Sequence, residues 1–280
     1  MYQVREMAKH SVRPAMYADD RWYPAAADPL REEVTGYMER APALDLPGAV
    51  MGLIAPHAGY FFSGHVAGAS YRQIRGQKYD AVVLVGPDHQ GVTYGRLAIA
   101  DFDAWHTPLG DVPVDADLVA ALDEQLPMRH IARDSEHSLE VQLPFLQIAL
   151  GDFKLLPLLM GDQSPAACQN LGRAIADAVE DLHALLVAST DLSHYHTYKD
   201  ATQLDKSTLQ YVLDFDPTGL VEALTHDQAH ACGGGPVAAI MFAARDMGAT
   251  RAHLVKYANS GDVWDDKSRV VGYAAAVFTN

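Results

Sequence analysis

The chain has 280 residues, 49% hydrophobic and 20% charged, a balance that fits a globular protein with a sizeable core and excludes disordered and fibrous classes. Its 21 Lys and Arg stand against 36 Asp and Glu, a formal charge of -15, which leaves no basic footprint for a nucleic-acid backbone or an anionic lipid surface. No apolar run reaches the roughly 20 residues of a membrane span, no charged segment leads into an apolar signal region, and two cysteines are too few for a disulfide framework, so the expectation is a cytoplasmic protein.

From about Tyr2 to Pro47 charge, aromatics and proline are mixed, with an irregular lead-in over Val12–Pro24 and a helix over Pro29–Arg40 behind Asp28 as N-cap. The run Val50–Ala55 reads as a strand buried on both faces, Ser63–Ile74 as a helix, and Ala81–Val85 as a second buried strand, which together make a crossover unit. Leu97–Pro113 carries turn signals and short strands, and Asp115–Leu126 returns to helical spacing. Glu136–Leu150 reads as a helix with a densely polar start, followed by strand Lys154–Met160, helix Pro165–Leu182 and strand Ala184–Ala188. Helices are expected over Asp200–Val212, Pro217–Leu224 and Pro236–Met247, and strands over Arg251–Ala258 and Val270–Phe278. No linker, repeat or charge block interrupts this alternation, so the expected architecture is α/β: one α/β/α sandwich spanning residues 1–280 around a mostly parallel or mixed sheet.

In such sheets ligands sit beyond the carboxyl ends of the strands. There the chain places His57 in Ala55-Pro56-His57-Ala58-Gly59-Tyr60 and His89 in Gly86-Pro87-Asp88-His89, one imidazole early in each loop. Either alone is more simply a hydrogen-bonded histidine; two at matching positions suggest imidazoles converging on one metal, and the thirteen histidines of the chain point the same way. After the Ala184–Ala188 strand stands Ser189-Thr190-Asp191-Leu192-Ser193-His194, where one helical turn would bring Asp191 beside His194 to orient it as a general base, or where Asp191 simply caps a helix. Cys232 precedes three glycines and an apolar helix, a setting that would favour a thiolate unless the cysteine is only a small buried hydrophobe. In Glu136-His137-Ser138-Leu139-Glu140 the acidic residues are what a helix start attracts anyway, which makes the His137 and Glu140 pair the more informative one.

With these residues in view, the chain resembles the Memo family, called AmmeMemoRadiSam system protein B in bacteria. The likeness is carried by Arg13-Pro14-Ala15, Trp22-Tyr23-Pro24, the His57 and His89 motifs, Ser63-Gly64, Thr107-Pro108-Leu109-Gly110, the Glu136–Glu140 and Ser189–His194 segments, Cys232-Gly233 with Pro236, and Tyr257-Ala258-Asn259-Ser260. That family resembles the LigB-like class III extradiol dioxygenases in fold. The resemblance implies a mononuclear non-haem metal site with His57, His89 and Cys232 as ligands, a thiolate replacing the dioxygenases' carboxylate. Iron is the first expectation and copper the second, with zinc also compatible with such a donor set. It further implies His194 and Asp191 as catalytic residues, Tyr60, Asp88, His137 and Glu140 as pocket residues, and partners of the AMMECR1 and radical-SAM types. Asp88 stands where relatives often carry serine, and Gly233-Gly234-Gly235 where some carry a larger side chain, so pocket size is not transferred.

Three functions follow as expectations: a redox or oxygen-dependent metal enzyme acting on a small substrate, a metal-free hydrolase in which Cys232 attacks with help from His194 and Asp191, and a binding protein that reuses the pocket for a small molecule, a peptide or a protein.

Overall fold

The computed structural model describes residues 11–280; Tyr2, where the opening flank is placed above, lies outside them. In chain order the strands are β1 (Val12–Arg13), β2 (Val50–Ala55), β3 (Ala81–Pro87), β4 (Leu97–Ala100), β5 (Ala104–Thr107), β6 (Gly110–Pro113), β7 (Arg129–Ile131), β8 (Lys154–Met160), β9 (Ala184–Ser189), β10 (His194–His196), β11 (Arg251–Asn259) and β12 (Val270–Thr279). The α-helices are α1 (Ala27–Arg40), α2 (Tyr60–Arg72), α3 (Ala116–Gln125), α4 (Leu143–Leu150), α5 (Pro165–Ala178), α6 (Tyr198–Leu213), α7 (Pro217–Thr225) and α8 (Gly234–Asp246).

The main sheet has nine strands in the order β10-β12-β2-β9-β3-β8-β4-β7, with β11 paired to β12. Its centre, β2, β9, β3 and β8, is parallel, while β12 joins β2 and β4 joins β8 antiparallel, so the sheet is mixed. The near-continuous Val, Leu and Ile of the central strands follow from burial on both faces. Alternate residues enter opposite cores: Val82 and Leu84 pack with α1, α2 and α4, whereas Val83 and Val85 pack with α5 and α8. The result is the expected three-layer arrangement. The contact of α5 with α8 depends on Gly172, where a Cβ would lie 2.5 Å from Phe242 Cβ and 2.8 Å from the Ala239 carbonyl.

Two helices begin where a short polar side chain accepts a backbone N–H just before a proline, at Ser164 ahead of Pro165 and at Asp216 ahead of Pro217. Asp28 does not serve that purpose: α1 starts at Ala27 without a side-chain cap, and Asp28 sits within its first turn. Two other expectations are corrected. The helix expected from Glu136 starts only at Leu143, after a 3₁₀ turn over Glu140–Gln142, because residues 134–139 are held as loop by long-range hydrogen bonds described below. No helical turn joins Asp191 to His194; Leu192 N–H bonds the Gly272 carbonyl and His194 enters β10, which pairs with β12.

A candidate metal centre at the strand ends

Strands β2, β9 and β3 end side by side, which brings His57, Ser189 at the end of β9 with Asp191 just after it, and His89 to one end of the sheet. A fourth loop, residues 134–139, adds His137. Ligand nitrogens of His57, His89 and His137 lie within 4.8 Å of one another, with His57 buried, His137 half-buried and His89 exposed. Their ring centroids are 5.1 Å apart for His57 and His89, 5.3 Å for His57 and His137, and 4.7 Å for His89 and His137. Imidazoles sharing one ion at ordinary bond lengths have centroids about 4.5 to 6.4 Å apart, so all three separations fit a single ion.

Hydrogen bonds decide which nitrogen of each ring faces the centre. The Ser189 hydroxyl donates to the Ser138 carbonyl at 2.6 Å and accepts from the Gln142 side-chain amide at 2.8 Å. Its one remaining position is an acceptor, so His57 Nδ1, 3.0 Å away, must donate to it, and His57 Nε2 is left as the acceptor nitrogen. The His57 backbone N–H donates to Asp191 Oδ1 at 2.8 Å, which fixes the loop as well as the ring. His89 Nδ1 likewise donates to Glu136 Oε1 at 3.0 Å, and its backbone N–H donates to Glu136 Oε2 at 2.6 Å. Metal-ligating imidazoles need this arrangement, with one nitrogen anchored and the other presented.

Cys232 approaches His57 from the other side. Its Sγ lies 3.2 Å from His57 Nε2 and receives the Asp191 backbone N–H at 3.3 Å. The close fit of its turn explains the first of the three glycines: a Cβ on Gly233 would lie 2.4 Å from the Ser189 carbonyl oxygen. Gln163 clasps the same turn, donating to the Cys232 carbonyl at 3.0 Å and accepting from Gly235 N–H at 2.8 Å.

The electrostatics suit neutral ligands around a cation. Burial, reinforced by the charges of His137 and His89, holds His57 well below the ordinary imidazole range. Burial likewise takes His137 down to about 4, against the pull of Glu136. At His89 burial opposes the charge, but the hydrogen bond to Glu136 outweighs it and the value rises. Burial and the charge of Asp191 push the Cys232 thiol up to about 12, which corrects the expectation of a thiolate favoured by the helix alone. A thiol of that kind is a poor nucleophile, and the imidazole at its sulfur is His57 rather than His194. A cation is what would stabilise its thiolate.

The remaining expected residues separate into those near the centre and those that support it. His194 anchors Nδ1 on the Leu192 carbonyl at 2.9 Å, leaving Nε2 free, and burial lowers its value so that the ring is neutral. Asp191 is pushed up to about 7 by burial, although the His57 and Ala58 backbone N–H groups stabilise its charge; it steadies the His57 loop and makes no hydrogen bond to His194. Asp88 accepts from the backbone N–H groups of Gln90, Val92 and Thr93 and braces the loop after His89. Tyr60 is buried in the aromatic core and donates to the Val141 carbonyl at 2.7 Å. The structure does not bring Glu140 to the imidazoles: its carboxylate is taken by Arg13, the Tyr23 hydroxyl and the Met16 and Tyr17 backbone N–H groups.

Glu136, Ser189 and Gln142 orient the His57 and His89 rings, and nothing in local spacing marks them; the hydrogen bonds that do so span 47 positions or more. Trp22 also emerges here, its ring 4.5 Å from that of His137, with Tyr17 alongside at 5.6 Å. Replacing Glu136 by Gln keeps the shape but leaves one oxygen where two accept from His89, His137 and Ser138. The expected result is a roughly 10- to 100-fold loss of metal affinity in a chelator competition. An unchanged affinity would remove Glu136 from the account.

Comparison with known proteins places this geometry in context. The family model described as Memo-like protein matches residues 13–277. A MEMO1 family protein of Methanosarcina mazei is 37% identical over 261 residues, covering 92% of this chain and 96% of that one. One from Methanopyrus kandleri is 36% identical over 272 residues with the same coverage. Among solved structures, an uncharacterized protein of Escherichia coli K12 superposes with a TM-score of 0.53 at 14% identity, over 82% of this chain and all of the other, a likeness of fold alone.

Proposed function

The chain belongs to the Memo-like family, and on that premise we propose that it is a mononuclear metal protein, with iron as the first choice of ion and copper the second, acting in redox or oxygen-dependent chemistry on a small substrate. The observation that carries this reading is the pair of imidazoles, His57 and His89, each with Nδ1 anchored and the other nitrogen turned to a common point. Two imidazoles with one sulfur suit a borderline transition metal, whereas magnesium or calcium would call for oxygen ligands. Such an ion, when bound, would supply one-electron redox capacity at the centre.

The protein's own groups would do the rest. His194, neutral and with Nε2 free, is able to take a proton from a substrate beside the centre and return it. Asp191, at about 7, sits at the pivot between the His57 loop and Cys232. Trp22 and Tyr17 cover His137 and shield that side of the centre from water.

The third ligand is the sulfur of Cys232 in this proposal, and His137 is its rival, since its nitrogen meets the same distance limit as the other two. Elemental analysis of Cys232→Ala and His137→Ala proteins, prepared without air or added metal, decides between them. Metal is expected to fall with Cys232→Ala and to survive His137→Ala. The opposite pattern would assign the site to three histidines, and full occupancy in both would contradict a third protein ligand.

A further inference from the structure

Beside the proposed centre lies a cavity of about 490 Å³ that reaches Cys232 and is lined by His194, His196 and His230. The ligand set described above uses neither His196 nor His230. We propose that these two residues form a second, weaker binding station for a borderline divalent ion such as Zn²⁺ or Cu²⁺, placed on the approach to the first.

Both side chains have the chemistry for it. His194 and His196 of β10 both line this cavity, and Tyr195 between them does not. Tyr195 is 63% exposed and has a φ of 64°, and the pairing of β10 with β12 slips between His194 and His196. A non-glycine residue in that conformation is held there by its surroundings. His230 arrives from the loop after α7, its backbone N–H donating to Thr208 Oγ1 at 2.9 Å. The rings of His196 and His230 meet nearly edge to face, with centroids 5.8 Å apart, inside the range of about 4.5 to 6.4 Å for two imidazoles on one ion.

Most other imidazoles near carboxylates in this chain are already engaged. His106 bonds Asp111, and His130 lies between Asp101 and Asp123. Among the described residues, no hydrogen bond engages a ring nitrogen of His196 or His230. Two unengaged imidazoles at this separation in a polar cavity match the preference of zinc and copper for nitrogen donors. His194 lines the same cavity and connects the station to its Cys232 side.

The test is a zinc titration of the full chain by calorimetry, wild type beside a His196→Ala/His230→Ala double variant, His57→Ala and His130→Ala. Wild type is expected to show two classes of site. The double variant should keep the tight class and weaken the second by at least about tenfold. His57→Ala should do the reverse, so that failure of the first site and failure of the second are read separately. Circular dichroism and a thermal melt establish that each variant is folded, and His196→Gln with His230→Gln repeats the comparison with bulk retained. A second class that survives both double variants, or disappears in His130→Ala instead, overturns the proposal.

Discussion

Replacing Arg13 with Met should cost roughly 3 to 5 kcal/mol of stability, the largest effect expected of any single change in the support of the site. Arg13 is 1% exposed, and its guanidinium is the hub of the loop that carries His137. Nε bonds Asp134 at 2.6 Å, Nη1 bonds Glu140 at 2.5 Å, and Nη2 donates to the Glu136 carbonyl at 2.8 Å, while the group stacks over Trp105 at 4.1 Å. Methionine fills the volume but leaves two fully buried carboxylates without their cation, and that unpaired charge is what makes the loss large. Lysine restores the charge without the fork, so Arg13→Lys should recover only part of it. Urea denaturation of the metal-free proteins measures this directly. A midpoint for Arg13→Met equal to that of wild type would mean that the loop holds its shape without the hub.

The second large effect concerns occupancy. His57→Ala is expected to reduce bound metal from near one equivalent to less than about a tenth. Partners that merely orient a ligand are worth roughly 10- to 100-fold in affinity, and removing the ligand itself exceeds that. His57 is the one ring of the three that is fully buried, held at both its backbone N–H and Nδ1, so no neighbouring group can swing in to replace it. The variant should stay folded, because the Ser189, Gln142 and Ser138 hydrogen bonds are independent of the imidazole. Wild-type metal content in a folded His57→Ala protein would place the ion elsewhere.

Much of the fold was legible in sequence because burial writes itself locally. Val50–Ala55 and Lys154–Met160 have the bounds found in the structure, since the apolar residues of a strand covered on both faces stand out from what flanks them, Lys154 being the one exposed residue of the second. The candidate ligand positions were legible for a related reason: His57 and His89 follow such strands directly. What escaped depends on distant partners. The polar cluster from Glu136 reads as a helix start, yet Arg13, more than a hundred positions earlier, holds it as loop and points Glu136 at His89. Asp191 and His194 have helical spacing, but β12 draws the segment into a strand and leaves the carboxylate with the His57 loop. At Cys232 the two readings left open by the sequence are separated by burial, which opposes the thiolate more strongly than the helix start favours it. His137 enters the sequence reading as a pocket residue, whereas the folded loop sets its nitrogen within 4.8 Å of both other imidazole nitrogens.

The most direct test of the account is the metal content of untagged wild-type protein purified without air, measured by elemental analysis before and after reconstitution with ferrous iron and with cuprous copper. Close to one equivalent of iron or copper per chain, lost on chelation and restored on reconstitution, is the result expected of a centre built on His57 and His89. Protein that is folded and monodisperse, yet takes up neither ion under either condition, would contradict it.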